Sequence, residues 1–289
     1  MPQSHRRPLG PSLRSQWLAQ SLKRLRGDND LGIVEAADFL EVASSTMSRM
    51  ENALVPIKRG DLTELLTFYN ADERTRANLM ELRDIAWRRD WWDGMVGVGQ
   101  ESSFADYAWL ESRAETIRCF ESEMVHGLFQ TADYAEAIIR ACEGPAVADE
   151  KIDPWVSLRM RRQEILDKDA APKVTAILDE SAFRRALGGP KVMKVQLHRL
   201  LAFNERPNVD IRVLPFSAVS HAGYCGSFTL FGLDDRYPDV AYAETAVTKM
   251  FVEDPEKLDR LEGVYADISR SALTPGESAS FIADIAEGL

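Results

Sequence analysis

The sequence predicts an α+β protein of two domains: an all-α N-terminal domain of five helices and a larger C-terminal domain of helices packed on a short-stranded β-sheet. Apolar residues recur at helical spacing over residues 12–93, which is typical of amphipathic helices. From residue 173 onward, short β-branched and aromatic runs bounded by Pro, Gly or Asp alternate with helical patterns, as in an α+β sheet domain. The glycine-rich stretch 94–99 separates the two patterns. A length of 289 residues suits about two domains.

Helix-capping residues and the spacing of apolar residues predict the helices of the N-terminal domain. Ser12 has the character of an N-cap for a first helix, and the run Gly27–Asp30 ends that helix. The helices expected after it are two short ones within 31–51, one over 61–69 and one from residue 72 into the tryptophan pair 91–92. The expected boundaries are a flexible N-terminal arm (1–11), the helical domain (12–93), a linker (94–103) and the C-terminal domain (104–289).

The C-terminal domain opens with helical patterns and then changes to strands interleaved with helices. The first helices are expected near 104–118, 131–142 and 153–168. The expected strands are 173–179, 209–214, 227–231, 240–244 and 247–252, and the later helices are 180–187, 190–205, 254–271 and 275–287. Thr274 followed by Pro275 is a cap with proline at the first helical position, which supports the start of the last helix.

The segment Leu31–Glu51 is the most informative part of the chain. The small residues Ala36 and Ala37 allow close helix packing, and Met47 and Met50 continue the apolar stripe three residues apart. The outward side of the second helix carries short hydrogen-bonding groups and one long cation: Ser44, Ser45, Thr46, Ser48 and Arg49. Such groups suit DNA base edges and phosphates.

This pattern resembles the helix-turn-helix of the lambda-repressor/Cro-like (XRE) regulators. Further segments recur in the order typical of a large actinobacterial group of two-domain XRE regulators, some of them described as antitoxin-like or as WhiJ-type. The segments that carry the resemblance are 18–26, 61–69, 88–92, 127–131, 159–163, 206–215 and 226–231. The C-terminal domain of that group has no characterised function.

The resemblance implies roles for individual residues. Glu51 and Arg26 are expected to form an ion pair that ties the second helix of the motif to the first helix of the domain; the alternative for Arg26 is a phosphate contact. The base-contacting positions of the family fall on Ser44, Ser45 and Arg49, although a solvated surface cation is the alternative for Arg49. The remaining expected DNA contacts go to phosphate or water, and they are Thr46, Ser48, Lys58 and Arg59.

The motif departs from the family pattern at four positions. Gly32 and Ile33 stand where a Thr and a Gln usually cap the helix and touch phosphate. Glu41 replaces the usual glycine of the turn and adds a negative charge, and Ala43 replaces the usual serine cap, so that Ser44 or Ser45 would have to take over the capping. Each departure weakens the expected phosphate anchoring.

Candidate partner or ligand contacts in the C-terminal domain are few. Gln130 and Tyr134 belong to the helix that the Gly127–Thr131 turn opens. The second group forms either an anion-binding patch or a solvated helix face, and it consists of Arg159, Arg161, Arg162 and Gln163. Catalysis is not expected, because the chain has no Gly-x-Ser-x-Gly elbow and the glycines of 94–99 have the wrong spacing for a dinucleotide fingerprint. His126 and His221 are interpreted as structural or surface residues.

Composition and the distribution of charge further limit the class of protein. Residues 1–60 hold nine Lys or Arg against six Asp or Glu, whereas the whole chain has a net charge of −11. A mildly basic N-terminal segment followed by an acidic remainder fits a DNA-binding domain joined to a domain that does not touch DNA. Three separated cysteines and four scattered histidines predict reduced thiols, no metal site and no cofactor. Without a run of about 20 apolar residues, the expected location is the cytoplasm, at the nucleoid.

The expected function is therefore a sequence-specific DNA-binding regulator. It would bind palindromic or paired half-sites of double-stranded DNA as a homodimer. The C-terminal domain would bind a small protein, encoded by a neighbouring gene as the resemblance implies, or a small-molecule ligand. The alternative is a protein-interaction adaptor whose helix-turn-helix has lost DNA affinity.

Overall fold

The structure is a computed structural model that describes residues 11–86, 102–144, 147–245 and 248–289. Two compact units divide the chain, Met1–Asp106 and Tyr107–Leu289. The fold class is confirmed, since helices form the described part of the first unit and a mixed six-stranded sheet with helices forms the second. Residues 1–10 of the expected arm, the pair Trp91–Trp92 and residues 94–101 of the expected linker lie outside the described residues.

Residues 11–86 form five helices. They are α1 (Leu13–Asp28), α2 (Ile33–Phe39), α3 (Ser44–Met50), α4 (Arg59–Phe68) and α5 (Glu73–Ala86). Ser12 caps α1 as expected, because its side chain accepts a hydrogen bond from the Ser15 N–H at 3.2 Å. The apolar sides of α1, α4 and α5 form the core of this unit, with Leu22, Leu62 and Leu82 buried.

The second unit combines a sheet with helices, of which α6 begins before the boundary of the unit. The helices are α6 (Ser102–Arg113), α7 (Ala132–Glu143), α8 (Asp149–Arg162), α9 (Ser181–Arg184), α10 (Pro190–Asn204), α11 (Pro255–Ser271) and α12 (Pro275–Glu287). The strands are β1 (Thr116–Glu121), β2 (Lys173–Asp179), β3 (Val209–Leu214), β4 (Phe228–Gly232), β5 (Val240–Glu244) and β6 (Lys249–Val252). Thr274 caps α12 with Pro275 in its first turn, as the sequence predicts.

The sheet has the order β3-β2-β1-β4-β5-β6. Its β3-β2-β1 half is parallel and its β4-β5-β6 half is an antiparallel meander that joins the first half through β1 and β4. Helix α11 covers one face, where Tyr265 and Ile268 pack with Phe120, Ile177 and Leu230 of the strands. The alternation of side chains along each strand explains why these apolar residues share a face.

The expected helix 104–118 is wrong at its C-terminal end, where the chain forms β1 instead. Leu110, Ala114 and Ile117 are all buried, and their spacing of four and three residues continues the apolar stripe of α6 into the strand. Periodicity alone therefore could not end the helix. Pairing on both sides of β1, with residues distant in sequence, decides the conformation. Smaller differences are the strands 227–231 and 247–252, which begin at Phe228 and Lys249.

Within the described ranges, every helix falls short of the length and apolarity needed to span a bilayer. In the same ranges, no cluster of three or more His, Cys, Asp or Glu side chains is arranged to hold a metal ion.

Candidate DNA-binding surface

A tight turn joins α2 to α3. The N–H of Val42 donates to the carbonyl oxygen of Ala37 at 2.9 Å, and the N–H of Glu41 donates to that of Asp38 at 3.1 Å. These two bonds form a Schellman motif, which requires a left-handed residue after the helix. Glu41 is that residue, with φ of 54°, and it adopts a conformation that glycine reaches without steric cost.

One side of α3 packs against α2. Met47 and Met50 are buried, as are Ala36 and Ala37 on α2. The two alanines have no side-chain atoms beyond Cβ, so the methionines fill the space between the helices. The apolar stripe that the sequence predicts thus fixes the orientation of α3.

The opposite side of α3 faces solvent. Ser44, Ser45 and Arg49 are exposed, while Thr46 and Ser48 are half-buried. Among the described residues, none forms an ion pair with the Arg49 guanidinium, which is therefore available to a ligand outside the chain. The structure brings the expected base-reading residues onto one face and places Thr46 and Ser48 closer to the protein.

Arg26 and Glu51 form a bidentate ion pair between α1 and the end of α3. Arg26 Nε donates to Glu51 Oε1 at 2.7 Å and its Nη2 donates to Oε2 at 2.9 Å. Its Nη1 also donates to the Leu31 carbonyl oxygen at 2.8 Å. The hydrogen bond with Glu51 raises the pKa of Arg26 above its usual value, against the opposing effect of burial. Arg26 is thus engaged within the bundle, as the resemblance implies.

The departures from the family pattern have structural counterparts. Gly32 is the N-cap of α2 and its N–H donates to the Glu35 carboxylate at 2.6 Å. A carboxylate therefore occupies the helix end where the resemblance places a phosphate contact. Ala43 is the N-cap of α3 and has no side-chain cap bond, so neither Ser44 nor Ser45 takes over the capping.

The two cations before the expected fourth helix differ in availability. Helix α4 begins at Arg59, two residues before the expected start, and Lys58 is its exposed N-cap. Arg59 forms an ion pair with Asp84 of α5. Hydrogen bonding from Arg59 lowers the pKa of Asp84. Lys58 is thus the more available of the two expected phosphate contacts, because Arg59 must leave Asp84 to reach one.

In the C-terminal unit, three of the expected partner contacts form one internal network. Arg159 Nη1 donates to Gln130 Oε1 at 2.8 Å. Gln130 Nε2 donates to the Val125 carbonyl oxygen at 2.6 Å, and Gln163 Nε2 donates to the Gln130 carbonyl oxygen at 2.7 Å. Gln130 and Gln163 are buried, whereas Arg159 is half-buried. The interpretation of this segment as a solvated helix face is therefore wrong for Gln163 and for Arg162, which are both buried.

The other two expected contacts are also internal. Arg162 forms a buried bidentate pair with Glu111, at 2.7 Å for Nε–Oε2 and 2.6 Å for Nη2–Oε1, and its guanidinium lies 5.0 Å from the Tyr107 ring centroid. Tyr134 is buried and its hydroxyl accepts from the Val125 N–H at 3.2 Å. Glu111 and Tyr107 are not among the residues that the sequence predicts for this site. Their spacing of four residues on a helix was the available signal, but nothing in the sequence linked them to Arg162.

Two further titratable groups lie close to this network. His126 is buried, accepts from the Leu128 N–H through Nδ1 at 3.3 Å and lies 3.1 Å from the Tyr107 hydroxyl through Nε2. Burial, with nearby Arg162, lowers the pKa of His126 to about 3, so its ring is neutral at physiological pH. Burial raises the pKa of Glu121, at the end of β1, to about 8.

Models of two known families match separate parts of the chain. A helix-turn-helix domain model matches residues 17–79, which include α2, α3 and the Arg26–Glu51 pair. The N-terminal unit is thus of the helix-turn-helix class, which suggests a DNA-binding regulator. A model described as a domain of unknown function (DUF5753) matches residues 104–284, and the chain belongs to that family. Comparisons with curated proteins and with solved structures found no match.

Proposed function

We propose that this chain is a sequence-specific DNA-binding transcriptional regulator whose C-terminal domain binds a modulating partner and catalyses no reaction. The observation that carries the proposal is the exposed Arg49, flanked by Ser44 and Ser45, on a helix whose other side is held by buried methionines and the Arg26–Glu51 pair. An exposed arginine on a helix that packing holds in place suits contact with base edges in the major groove.

In this proposal Arg49 supplies most of the base discrimination. A bidentate Arg–guanine contact is worth about 1–3 kcal/mol. Ser44 and Ser45 reach neighbouring base edges, and Lys58 sets register through phosphate. One such module makes few contacts, so two copies occupy half-sites about one helical turn apart.

Substitution of Arg49 tests the DNA-binding role. Fluorescence anisotropy on a labelled fragment from upstream of the chain's own gene measures affinity for specific and scrambled DNA. We expect Arg49→Ala to weaken specific binding by about tenfold to a hundredfold. The matched control is Arg49→Lys, which keeps the charge but not the planar fork, so it should retain scrambled-DNA binding and lose discrimination. Wild-type binding that is equally weak on both DNAs at low salt contradicts the proposal.

The partner of the C-terminal domain is, in this proposal, a small protein encoded by a neighbouring gene, as in antitoxin-like regulators; a small-molecule ligand is the other candidate. Arg159 is the favoured contact, because it is half-buried where the other four expected residues are buried, and its guanidinium is bonded to a neutral amide oxygen. Partner binding would favour one of two arrangements of a dimer, and a difference of a few kcal/mol between them suffices to switch DNA occupancy.

A mobility-shift titration with the product of the adjacent gene tests the partner. We expect the shift of the upstream fragment to change in the presence of that product, and Arg159→Ala to reduce the change without altering DNA binding alone. An identical shift with and without the product argues against a protein partner from that gene.

A second candidate function is a protein-interaction adaptor that no longer binds DNA. Exposed carboxylates on α2 and its turn favour it, namely those of Glu35, Asp38 and Glu41, because they repel phosphate. The adaptor hypothesis expects Arg49→Ala to leave the cellular phenotype intact. A phenotype equal to that of a gene deletion rules the adaptor out.

A further inference from the structure

Two ion pairs of this chain show how its arginines bind carboxylates. In the Arg26–Glu51 pair and in the Arg162–Glu111 pair, the donors are the Nε and Nη2 atoms of the arginine. The remaining nitrogen of Arg26, Nη1, donates to a neutral oxygen, the carbonyl of Leu31. The Nε–Nη2 edge of a guanidinium matches the two oxygens of a carboxylate, and such bidentate bonds are among the strongest that side chains form.

Arg159 of α8 uses its Nη1 in the same way. This nitrogen donates to the neutral Gln130 Oε1 at 2.8 Å. No described residue accepts a hydrogen bond from its Nε–Nη2 edge or forms an ion pair with its guanidinium. Arg159 is half-buried, and burial, with nearby Arg162, lowers its pKa to about 10. Donors that are partly withdrawn from water ordinarily have partners, so this edge suits an acceptor from outside the chain.

At neutral pH the neighbouring groups leave the charge of Arg159 uncompensated. Arg162 and Glu111 neutralise each other, and His126 is neutral because its pKa is about 3. With a pKa of about 8, the carboxyl of Glu121 is mainly protonated. A cation that is partly withdrawn from water and has no counter-ion attracts an anion.

The position of this region in the sheet also favours a ligand. Phe120 packs on the α11 side of the sheet, so the next residue, Glu121, points to the opposite face at the carboxyl end of β1. The charge of Arg159 acts on Glu121 there. Beside it, the strand order reverses between β1 and β4, although β4 is antiparallel to β1. In open sheets with helices on their faces, ligands bind outside the carboxyl ends of strands at such a reversal.

We propose that the Nε–Nη2 edge of Arg159 binds the carboxylate of a small organic acid. A monoanion balances the single charge of Arg159. A phosphate dianion would bring excess negative charge close to Glu244, which is exposed and already adds to the effect of burial in raising the pKa of Glu121. The chemistry of the site therefore favours carboxylate over phosphate.

This inference rests on the proposed function, because it names a ligand for the C-terminal domain and develops its small-molecule candidate. Ligand binding is measured on the full chain, without DNA and without the product of the adjacent gene. Absence of carboxylate binding therefore overturns this inference alone. A carboxylate that binds at Arg159 but leaves the mobility shift of the upstream DNA unchanged contradicts the modulating role and not the site.

A titration with sodium acetate and with sodium benzoate tests the site, at an ionic strength held constant with sodium chloride. The arginine Nε–H signals of ¹⁵N-labelled protein give the readout. We expect one signal to move saturably, with a dissociation constant below about 10 mM. Sodium phosphate should bind at least about tenfold more weakly. Movement of no arginine signal, or phosphate binding as strong as that of acetate, overturns the proposal.

Three variants assign the signal. Arg159→Gln should remove both the signal and the saturable binding, and Arg159→Lys, which keeps the charge but not the planar fork, should bind acetate at least about tenfold more weakly than the wild type. The matched control is Arg260→Gln, which removes the same charge from an exposed position on α11 at the opposite face of the sheet. It should leave the dissociation constant unchanged. Wild-type affinity in Arg159→Lys or Arg159→Gln contradicts the proposal.

The charge state of Glu121 gives a second readout. Glu121 interacts with groups on the elements packed around it, namely Arg159 of α8, Ser227 before β4, Glu244 of β5, Tyr107 of α6, Cys119 of β1 and Tyr134 of α7. Burial raises the pKa values of the two tyrosines and the cysteine, so these stay neutral while Glu121 titrates.

Ionised Glu121 should repel the bound carboxylate. The dissociation constant for acetate should therefore rise by at least about fivefold from about pH 6 to about pH 9 in the wild type. In Glu121→Gln, which does not titrate, the rise should be absent. Equal pH dependence in the two proteins would place the acetate site away from Glu121 and overturn the assignment of the ligand to this region.

Discussion

Glu41 carries two separate costs, a left-handed backbone and a negative charge beside the exposed side of α3. Its φ of 54° costs a residue with a Cβ roughly 1 kcal/mol relative to glycine. The charge repels the phosphates that the proposed DNA complex would bring close.

Two substitutions at Glu41 separate these costs. Glu41→Gly should stabilise the chain by about 0.5–1 kcal/mol and raise DNA affinity, whereas Glu41→Gln should raise affinity alone. Urea unfolding and anisotropy measure the two effects. Equal stability of the glycine and glutamine variants would show that the turn conformation imposes no cost.

Glu121 predicts a pH dependence of stability. Its pKa is about 8 in the folded chain against 4.5 for an ordinary glutamate, so the folded state binds the proton more tightly between these values. Stability is therefore lost as pH rises through this window. Glu121→Gln does not titrate, and its advantage over the wild type should grow by about 1–3 kcal/mol from about pH 5 to about pH 9.

Thermal unfolding of both proteins across that range checks the expectation. His126 has a pKa of about 3 in the folded chain and a higher one when unfolded. Its protonation therefore differs between the two states only on the acid side of neutrality, and it does not affect how stability changes with pH above neutrality. A difference between the two proteins that does not vary with pH contradicts the role of Glu121.

At the scale of elements, α3 depends on its neighbours. Its seven residues are too few for a stable isolated helix, and the Arg26–Glu51 pair ties its end to α1. Loss of the guanidinium leaves the Glu51 carboxylate, 3 % exposed, without its counter-ion.

Removal of that counter-ion should therefore be costly. Arg26→Ala should destabilise the chain by about 3 kcal/mol, and Arg26→Met with Glu51→Met should cost less, because no buried charge remains. Urea unfolding gives both values. A double variant less stable than Arg26→Ala would show that the pair contributes through more than charge neutralisation.

The sequence was most informative where contacts are local. The faces of α2 and α3 follow from the spacing of Ala36, Ala37, Met47 and Met50, and the resemblance supplied the Arg26–Glu51 pair. Strand β1 was missed because its neighbours are supplied from distant parts of the chain. The burial of Arg162 was missed for the same reason, since Glu111 is 51 residues away and no local pattern signals their meeting.

At the scale of the whole molecule, a net charge of −11 leaves DNA binding dependent on a few cations. Arg49 and Lys58 are exposed on the proposed surface, and Arg59 is held by Asp84. The slope of the logarithm of the DNA-binding constant against the logarithm of the salt concentration then measures how many phosphates each copy neutralises. Each phosphate contributes about −0.9 to that slope.

Substitutions at these charges should change the slope. Lys58→Ala should reduce its magnitude by about one per copy with base discrimination unchanged, and Asp84→Asn should increase it by releasing Arg59. Anisotropy titrations across a potassium chloride series measure both. A slope unchanged by Lys58→Ala would remove that lysine from the interface.

Strand β1 lies in the middle of the sheet, yet the residues that flank it arrive late in the chain. Thr116 aligns with Lys173 on one side and with Gly232 on the other. During synthesis the N-terminal helices can fold on their own local contacts. Strand β1, by contrast, cannot pair with β4 until more than a hundred further residues have been synthesised. For that interval the nascent chain exposes an unpaired strand, so slow translation or truncation before β4 should favour aggregation of the C-terminal unit.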